Sequence, residues 1–182
     1  MIITRIGALS PLVSLAEARE WLHIDHEDED ATITSLIAAA QGHIDGPETV
    51  YGRSVSRQTL RLDLPGFPRR VRLPYGPVRA VTTVKYRDPA GVQETLPEAG
   101  YVTAGTILLP TGSWPATAGR PDAVSVTYST GYEDAEVPQA FRLAMRMMVA
   151  EWFNNREEGT DAQRFEVPFS VRRLLDPYRV FG

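Results

Sequence analysis

The sequence predicts an α+β protein: a small helical bundle, two helices before and two after, with an inserted antiparallel β-sheet of about six or seven short strands. Three observations predict it. Apolar residues recur at helical spacing near both ends of the chain, and between them the period falls to two. The prolines of the middle stretch (Pro65, Pro68, Pro74, Pro77, Pro97, Pro110, Pro115 and Pro121) lie between apolar runs rather than inside them, as strand boundaries require. Because helices flank the strands, the chain divides into an N-terminal helical part over 1–50, a β insertion over 51–132 and a C-terminal helical part over 133–182, the helical parts forming one bundle. The insertion is long enough either to share the bundle's core or to hold a marginal one of its own.

The first helix opens at SLAEAREWL. Ser14 followed three residues later by Glu17 is a capping box, and Leu15, Ala18 and Leu22 form one stripe over 15–23. After the acidic loop HIDHEDED a second helix starts near Asp30, where acids suit the positive end of the helix dipole. Ile33, Leu36, Ile37, Ala40 and Ile44 keep its i, i+3, i+4, i+7 pattern, and Gly46-Pro47 ends it. QTLRLDL then alternates Leu60, Leu62 and Leu64 against Arg61 and Asp63. VRL, AVTTVKY, VQETL, YVT, TILLP and AVSVTYS follow as further short strands of a meander, the last with Val124, Val126 and Tyr128 on one face. Helical spacing returns after Pro138. Phe141, Ala144, Met145, Met148 and Trp152 make the stripe of a long helix over 138–156, with EEGTDAQRFEV as a loop behind it. A short helix, SVRRLLD, and the tail PYRVFG close the chain.

With 182 residues, 43% apolar and 23% charged, the composition is that of a folded globular chain. No apolar run approaches the roughly 18 residues of a membrane span, and MIITRIGALSPLVS lacks the continuous apolar region of a signal peptide. There is no cysteine, which excludes disulfides and thiolate chemistry and fits folding in a reducing cytoplasm. The net charge of −4 conceals polarity. The first fifty residues hold nine acids and two arginines, the next fifty nine bases and four acids, and Lys85 is the lone lysine. That balance disfavours a uniformly basic nucleic-acid binder.

The motifs of catalysis do not appear. GxGxxG, GxxxxGK[ST], GxSxG and HExxH are all absent, and no carboxylate pair is singled out. His23, His26 and the run Glu27, Asp28, Glu29, Asp30 lack the glycine that folds a hard-cation loop around its ion, so they read as a solvated loop capping the next helix, with no metal or cofactor. His43 reads as a boundary residue, and the methionine cluster at 145–148 as core. Arginines through 53–87 lack interleaved aromatics and read as the solvent face of a sheet. The tail differs: Arg172, Arg173, Leu175, Tyr178, Arg179 and Phe181 set guanidinium, aromatic and apolar groups at a terminus, a composition typical of interfaces.

These residues, taken in order, carry a resemblance. SLAEAREWL, DATITSLIAAAQGHIDG, YGRSVSRQTLRLDL, VRLPYGPVRAVTTVKYRDPAGVQETL, PDAVSVTYSTGY, VPQAFRLAMRMMVAEWFNNRE and VPFSVRRLLDPYRV together resemble the head–tail connector (adaptor) proteins of long-tailed phages. The subfamily is the one with a β insertion between its helices, found also in prophages and gene transfer agents. The resemblance runs from about residue 12 to residue 180. It rests on GRxxxxQT entering the sheet, LPxxPV between strands, TxGY before the long helix, WFxNRE closing it and PFxVxxLLxPYR at the end.

The resemblance implies a non-enzymatic assembly part in a virion or phage-like particle, made in the bacterial cytoplasm. Such proteins form a ring, usually of twelve copies, beneath the portal, extend the DNA exit channel and support a stopper or tail-terminator. It places portal docking on 168–182, with Arg172, Arg173, Leu175, Tyr178, Arg179 and Phe181 as the contacts. The polarity found independently suits a head-to-tail ring, and an acidic, lysine-poor subunit suits passage of double-stranded DNA better than its retention. Glu27, Asp28, Glu29 and Asp30 are accordingly expected at the bore or its rim. Two other classes compete: a carbohydrate- or ligand-binding β module using Trp114 and Tyr101, and a hydrolase with a dispersed carboxylate site.

Overall fold

The computed structural model describes residues 1–47, 49–155 and 166–180. The chain forms two compact units: a sheet unit of residues 1–9 and 57–132, and a helical unit of residues 10–56 and 133–182.

In the sheet unit, β1 (Ile2–Ile6), β2 (Gln58–Leu64), β4 (Val78–Arg87), β5 (Gln93–Leu96) and β8 (Val124–Thr130) make a five-stranded antiparallel sheet in the order β1-β2-β8-β4-β5. A second, three-stranded sheet is ordered β3-β7-β6, from Val71–Arg72, Ile107–Pro110 and Tyr101–Ala104. Among the described residues eight strands in two sheets thus stand where the sequence predicted about six or seven in one. Period-2 patterning marks which face of a strand is buried but not which strands are neighbours. The central strand β8 shows the rule plainly, with Val124, Val126 and Tyr128 buried and Ser125, Thr127 and Ser129 half-exposed. Those three join Leu60 and Leu62 of β2, Val84 of β4, Val71 and Leu108 from the smaller sheet, and Leu73 just after β3 in one apolar cluster. The buried Tyr128 hydroxyl donates to the Pro74 carbonyl at 2.9 Å. Residues 2–6, assigned on sequence to the helical part, are instead an edge strand paired with β2 in unbroken register from Ile2↔Asp63 to Ile6↔Thr59. Five residues are too few for periodicity to register, although three isoleucines and a threonine favour a strand.

The helical unit holds α1 (Leu15–Leu22), α2 (Asp30–Ile44), α3 (Gln139–Asn154) and α4 (Phe169–Leu175). The capping box forms as read: the Glu17 backbone N–H donates to Ser14 Oγ at 3.2 Å, and the Ser14 backbone N–H donates to the Glu17 carboxylate at 2.8 Å. That backbone donor, foremost, holds the Glu17 carboxyl below its ordinary range. The predicted stripes are buried: Ile33, Leu36, Ile37, Ala40 and Ile44 on α2, and Phe141, Ala144, Met145, Met148 and Trp152 on α3. Helix α3 touches each of the other three and is the spine of the unit.

A polar knot closes the end of α2. Asp45, 2% exposed, accepts from the backbone N–H of Val55 at 2.7 Å and of Ser56 at 3.1 Å, and from the Ser56 hydroxyl. Gln41, one turn earlier, donates to Asp45 at 3.0 Å and to the Ser10 carbonyl at 2.8 Å, and accepts from the Leu12 N–H at 3.1 Å. A buried donor stranded without an acceptor costs roughly 1–3 kcal/mol. Asp45→Ala is therefore expected to destabilise the helical unit by about 3 kcal/mol, read as the shift in a urea unfolding midpoint at unchanged m-value.

Burial raises the Tyr128 hydroxyl's pKa, with Tyr75 adding to the shift. A raised pKa favours the protonated form in the fold, so its stabilisation is complete below the unfolded value of about 10 and is lost as pH climbs above it. Thermal stability should fall on passing that pH, and Tyr128→Phe should flatten the alkaline decline while costing about 1 kcal/mol at neutrality for the lost hydrogen bond.

Candidate functional site

The C-terminal segment folds back on its own unit. Val171 and Leu175, four apart on α4, are buried, while Arg172 and Arg173 lie on the open side. The chain after α4 then lies along residues 50–53. The Val180 N–H donates to the Tyr51 carbonyl at 3.0 Å, and Arg179 Nε donates to the Val50 carbonyl at 3.2 Å. Gly52 is needed there: its φ is +61°, and a Cβ would stand 3.0 Å from the Val180 carbonyl oxygen. The Tyr178 ring meets Phe141 edge-on at 5.0 Å, with the Arg53 guanidinium 5.9 Å above it. Burial, then the nearby Asp176, raises the Tyr51 hydroxyl's pKa.

This sorts the residues read from sequence. Leu175 is 0% exposed and cannot touch a partner in this fold; its aliphatic side chain anchors the segment. Tyr178 is half-buried by its ring contacts and serves the same end. Arg172, Arg173 and Arg179 are exposed, with the Nε of Arg172 donating to the Val167 carbonyl at 3.1 Å. Phe181 lies outside the described residues. Sequence reasoning missed Phe169, the first residue of α4, which is 73% exposed and carries the Arg173 guanidinium 5.8 Å from its ring centre. The signal was present: Phe169 and Arg173 are four apart, as are Val171 and Leu175, so the helix separates an outer pair from an inner one. A groove beside this segment is lined by His43, Val50, Tyr51, Arg172, Asp176 and Arg179.

The acidic run occupies the α1–α2 connection. Glu27 and Asp28 are exposed, and Glu29 and Asp30 half-buried. Asp30 pairs with Arg19 at 3.5 Å, while Asp28 lies 3.6 Å from the ring of His26. Among the described residues no three His, Asp or Glu side chains converge on a point that would hold a metal. The structure also removes the ground for a sugar platform. Trp114 stacks on Phe67 with ring centres 4.5 Å apart and planes 6° from parallel, and both, with Tyr101, pack against the apolar cluster of the sheet unit. Several arginines of the middle stretch make local bonds on the sheet, Arg61 to Asp63 at 3.0 Å and Arg79 to the Gly131 carbonyl at 2.9 Å. Among the described residues no helix is long and apolar enough to cross a membrane.

Residues 11–181 match the head completion protein family. The chain belongs to that family. A head completion protein is a structural part of a phage-like particle, not an enzyme, and this agrees with the head–tail adaptor role at the head–tail junction that the ordered motifs implied. The fold is similar to chains in three solved structures: the neck of an empty gene transfer agent particle computed with C6 symmetry (TM-score 0.72, 22% identity), the neck of the native particle computed with C12 symmetry (0.71, 20%), and the virion of the native particle (0.72, 22%). Each likeness covers 100% of this chain and 97% of the other. No curated protein sequence matches it.

Proposed function

We propose that this head completion protein assembles into a ring, of twelve copies when complete, that sits beneath a portal, prolongs the DNA exit channel and carries a stopper or tail-terminator on its far side. The observation that carries the reading is the family match across nearly the whole chain. Necks of similar fold computed with C6 and C12 symmetry support the rotational arrangement. Phe169, Arg172 and Arg173, on the open side of α4, contact the portal together with Arg179, while Leu175 and Tyr178 fix the segment in place. Glu27 and Asp28, at the tip of the α1–α2 connection, face the bore or its rim, with Glu29 and Asp30 behind them. Carboxylates there repel passing phosphates, whereas each phosphate paired to Lys or Arg would add affinity and hold the DNA back.

Mass photometry of the protein mixed with its portal tests the ring directly: a multiple of the subunit mass on each portal is expected, and a persistent monomer beside bare portals rejects it. For the docking face, Phe169→Ala and Arg173→Ala should each weaken portal binding by about 30-fold, the scale of an interface hot spot of 2 kcal/mol, without lowering Tm. Leu175→Ala should instead lower Tm, through the loss of about 2–5 kcal/mol of stability typical of a buried leucine. Portal affinity untouched by both surface variants would move the docking face elsewhere. Reversing Glu27 and Asp28 to Lys should slow DNA ejection and make its rate depend more steeply on salt; unchanged ejection kinetics remove these acids from the bore.

A further inference from the structure

The five-stranded sheet ends in two open edges of opposite character. At one end β1 pairs only with β2 among the described residues. Its outer-face residues Ile2 and Ile6 are 59% and 46% exposed, and its register carries no bulge or proline, Arg5 being its one charge. Proteins ordinarily blunt such an edge by one of these devices, because an apolar strand with unpaired N–H and C=O groups recruits another strand. At the other end β5 pairs only with β4 among the described residues, and residues 91–95 are exposed without a break.

From these edges we infer that copies of this chain join through them, the β5 edge of one copy pairing with the β1 edge of the next. The inference rests on the ring reading above and specifies one of its joints. Three features name a second copy as the occupant. First, five strands joined by four antiparallel pairings leave β1 and β5 running in the same direction, so one rotation repeated around an axis always brings a β5 to a β1 as a parallel pair, the heterologous contact a ring requires. Second, the charges are complementary: β1 carries Arg5, and β5 carries Glu94 with Glu98 just beyond it. A β1–β1 or β5–β5 pairing would oppose like charges instead. Third, the faces agree. Arg5 lies opposite Leu60 and Glu94 opposite Tyr86, both on the side of the apolar cluster, so the two charges meet on one face when the strands pair.

The chain has no cysteine, which makes the test clean. Arg5→Cys with Glu94→Cys in one chain, oxidised in assembled particles and in concentrated free protein, should give a ladder of covalent multimers on a non-reducing gel. Each single variant should stay monomeric. A dimer from Arg5→Cys alone would mean a two-fold β1–β1 contact and overturn the proposal, as would the absence of a ladder from the double variant in both samples. Arg5→Glu should abolish assembly at unchanged Tm, and adding Glu94→Arg should restore it. If images show a ring while β5 and β1 fail to cross-link, the edge joint falls and the ring stands; if no ring forms on the portal, the ring reading itself falls.

Discussion

The helical unit depends on one buried carboxylate. Asp45 accepts backbone donors from Val55 and Ser56, and through Gln41 the same knot reaches Ser10 and Leu12. Those are the segments of the helical unit that neighbour the sheet unit in sequence. The knot also closes the turn over 46–53, whose Gly46 N–H bonds to the Arg53 carbonyl at 3.0 Å. The floor on which the C-terminal segment lies, Val50 to Arg53, therefore follows directly on the turn that Asp45 fixes, far in sequence from the segment it carries. A carboxylate out of water is costly unless its oxygens are filled, so geometry here tolerates little change.

From that floor the logic of the C-terminal segment follows. Val180 and Arg179 are tied by backbone acceptors, Tyr178 by ring contacts and Leu175 by burial, which holds α4 at its C-terminal end. An ordered helix presenting Phe169 and Arg173 would lose less entropy on binding than a free tail, which favours the docking role proposed for it. Arginine suits this better than lysine because its planar fork both stacks on an aromatic ring and binds carboxylates in pairs. Eighteen of the nineteen bases in this chain are arginines.

The same economy applies to the sheet unit. Its apolar cluster accounts for Trp114 and Tyr101, so the aromatic groups read as a candidate ligand platform are structural. What remains at its margins is backbone and charge, the materials of the subunit contact proposed above. Membership of the head completion protein family makes the chain a structural part of a phage-like particle rather than an enzyme.

The sequence by itself determined the elements and their inner faces. The stripes of α2 and α3, the capping box at Ser14 and the alternation in β8 lie where the periods put them, because burial of apolar surface is a local pattern once the period is known; in β2 the alternation holds through Leu60, Arg61 and Leu62 and then breaks, with Asp63 buried and Leu64 half-buried. The ordered motifs carried the family as well. Tertiary structure decided the rest. It decided that Ile2–Ile6 joins β2, some sixty positions away, that the strands divide between two sheets, and that of the tail residues Leu175 and Tyr178 turn inward while Phe169 turns out. Strand pairing and side-chain exposure are set by partners distant in the chain, and a period measured along one segment holds no information about which distant segment will cover it.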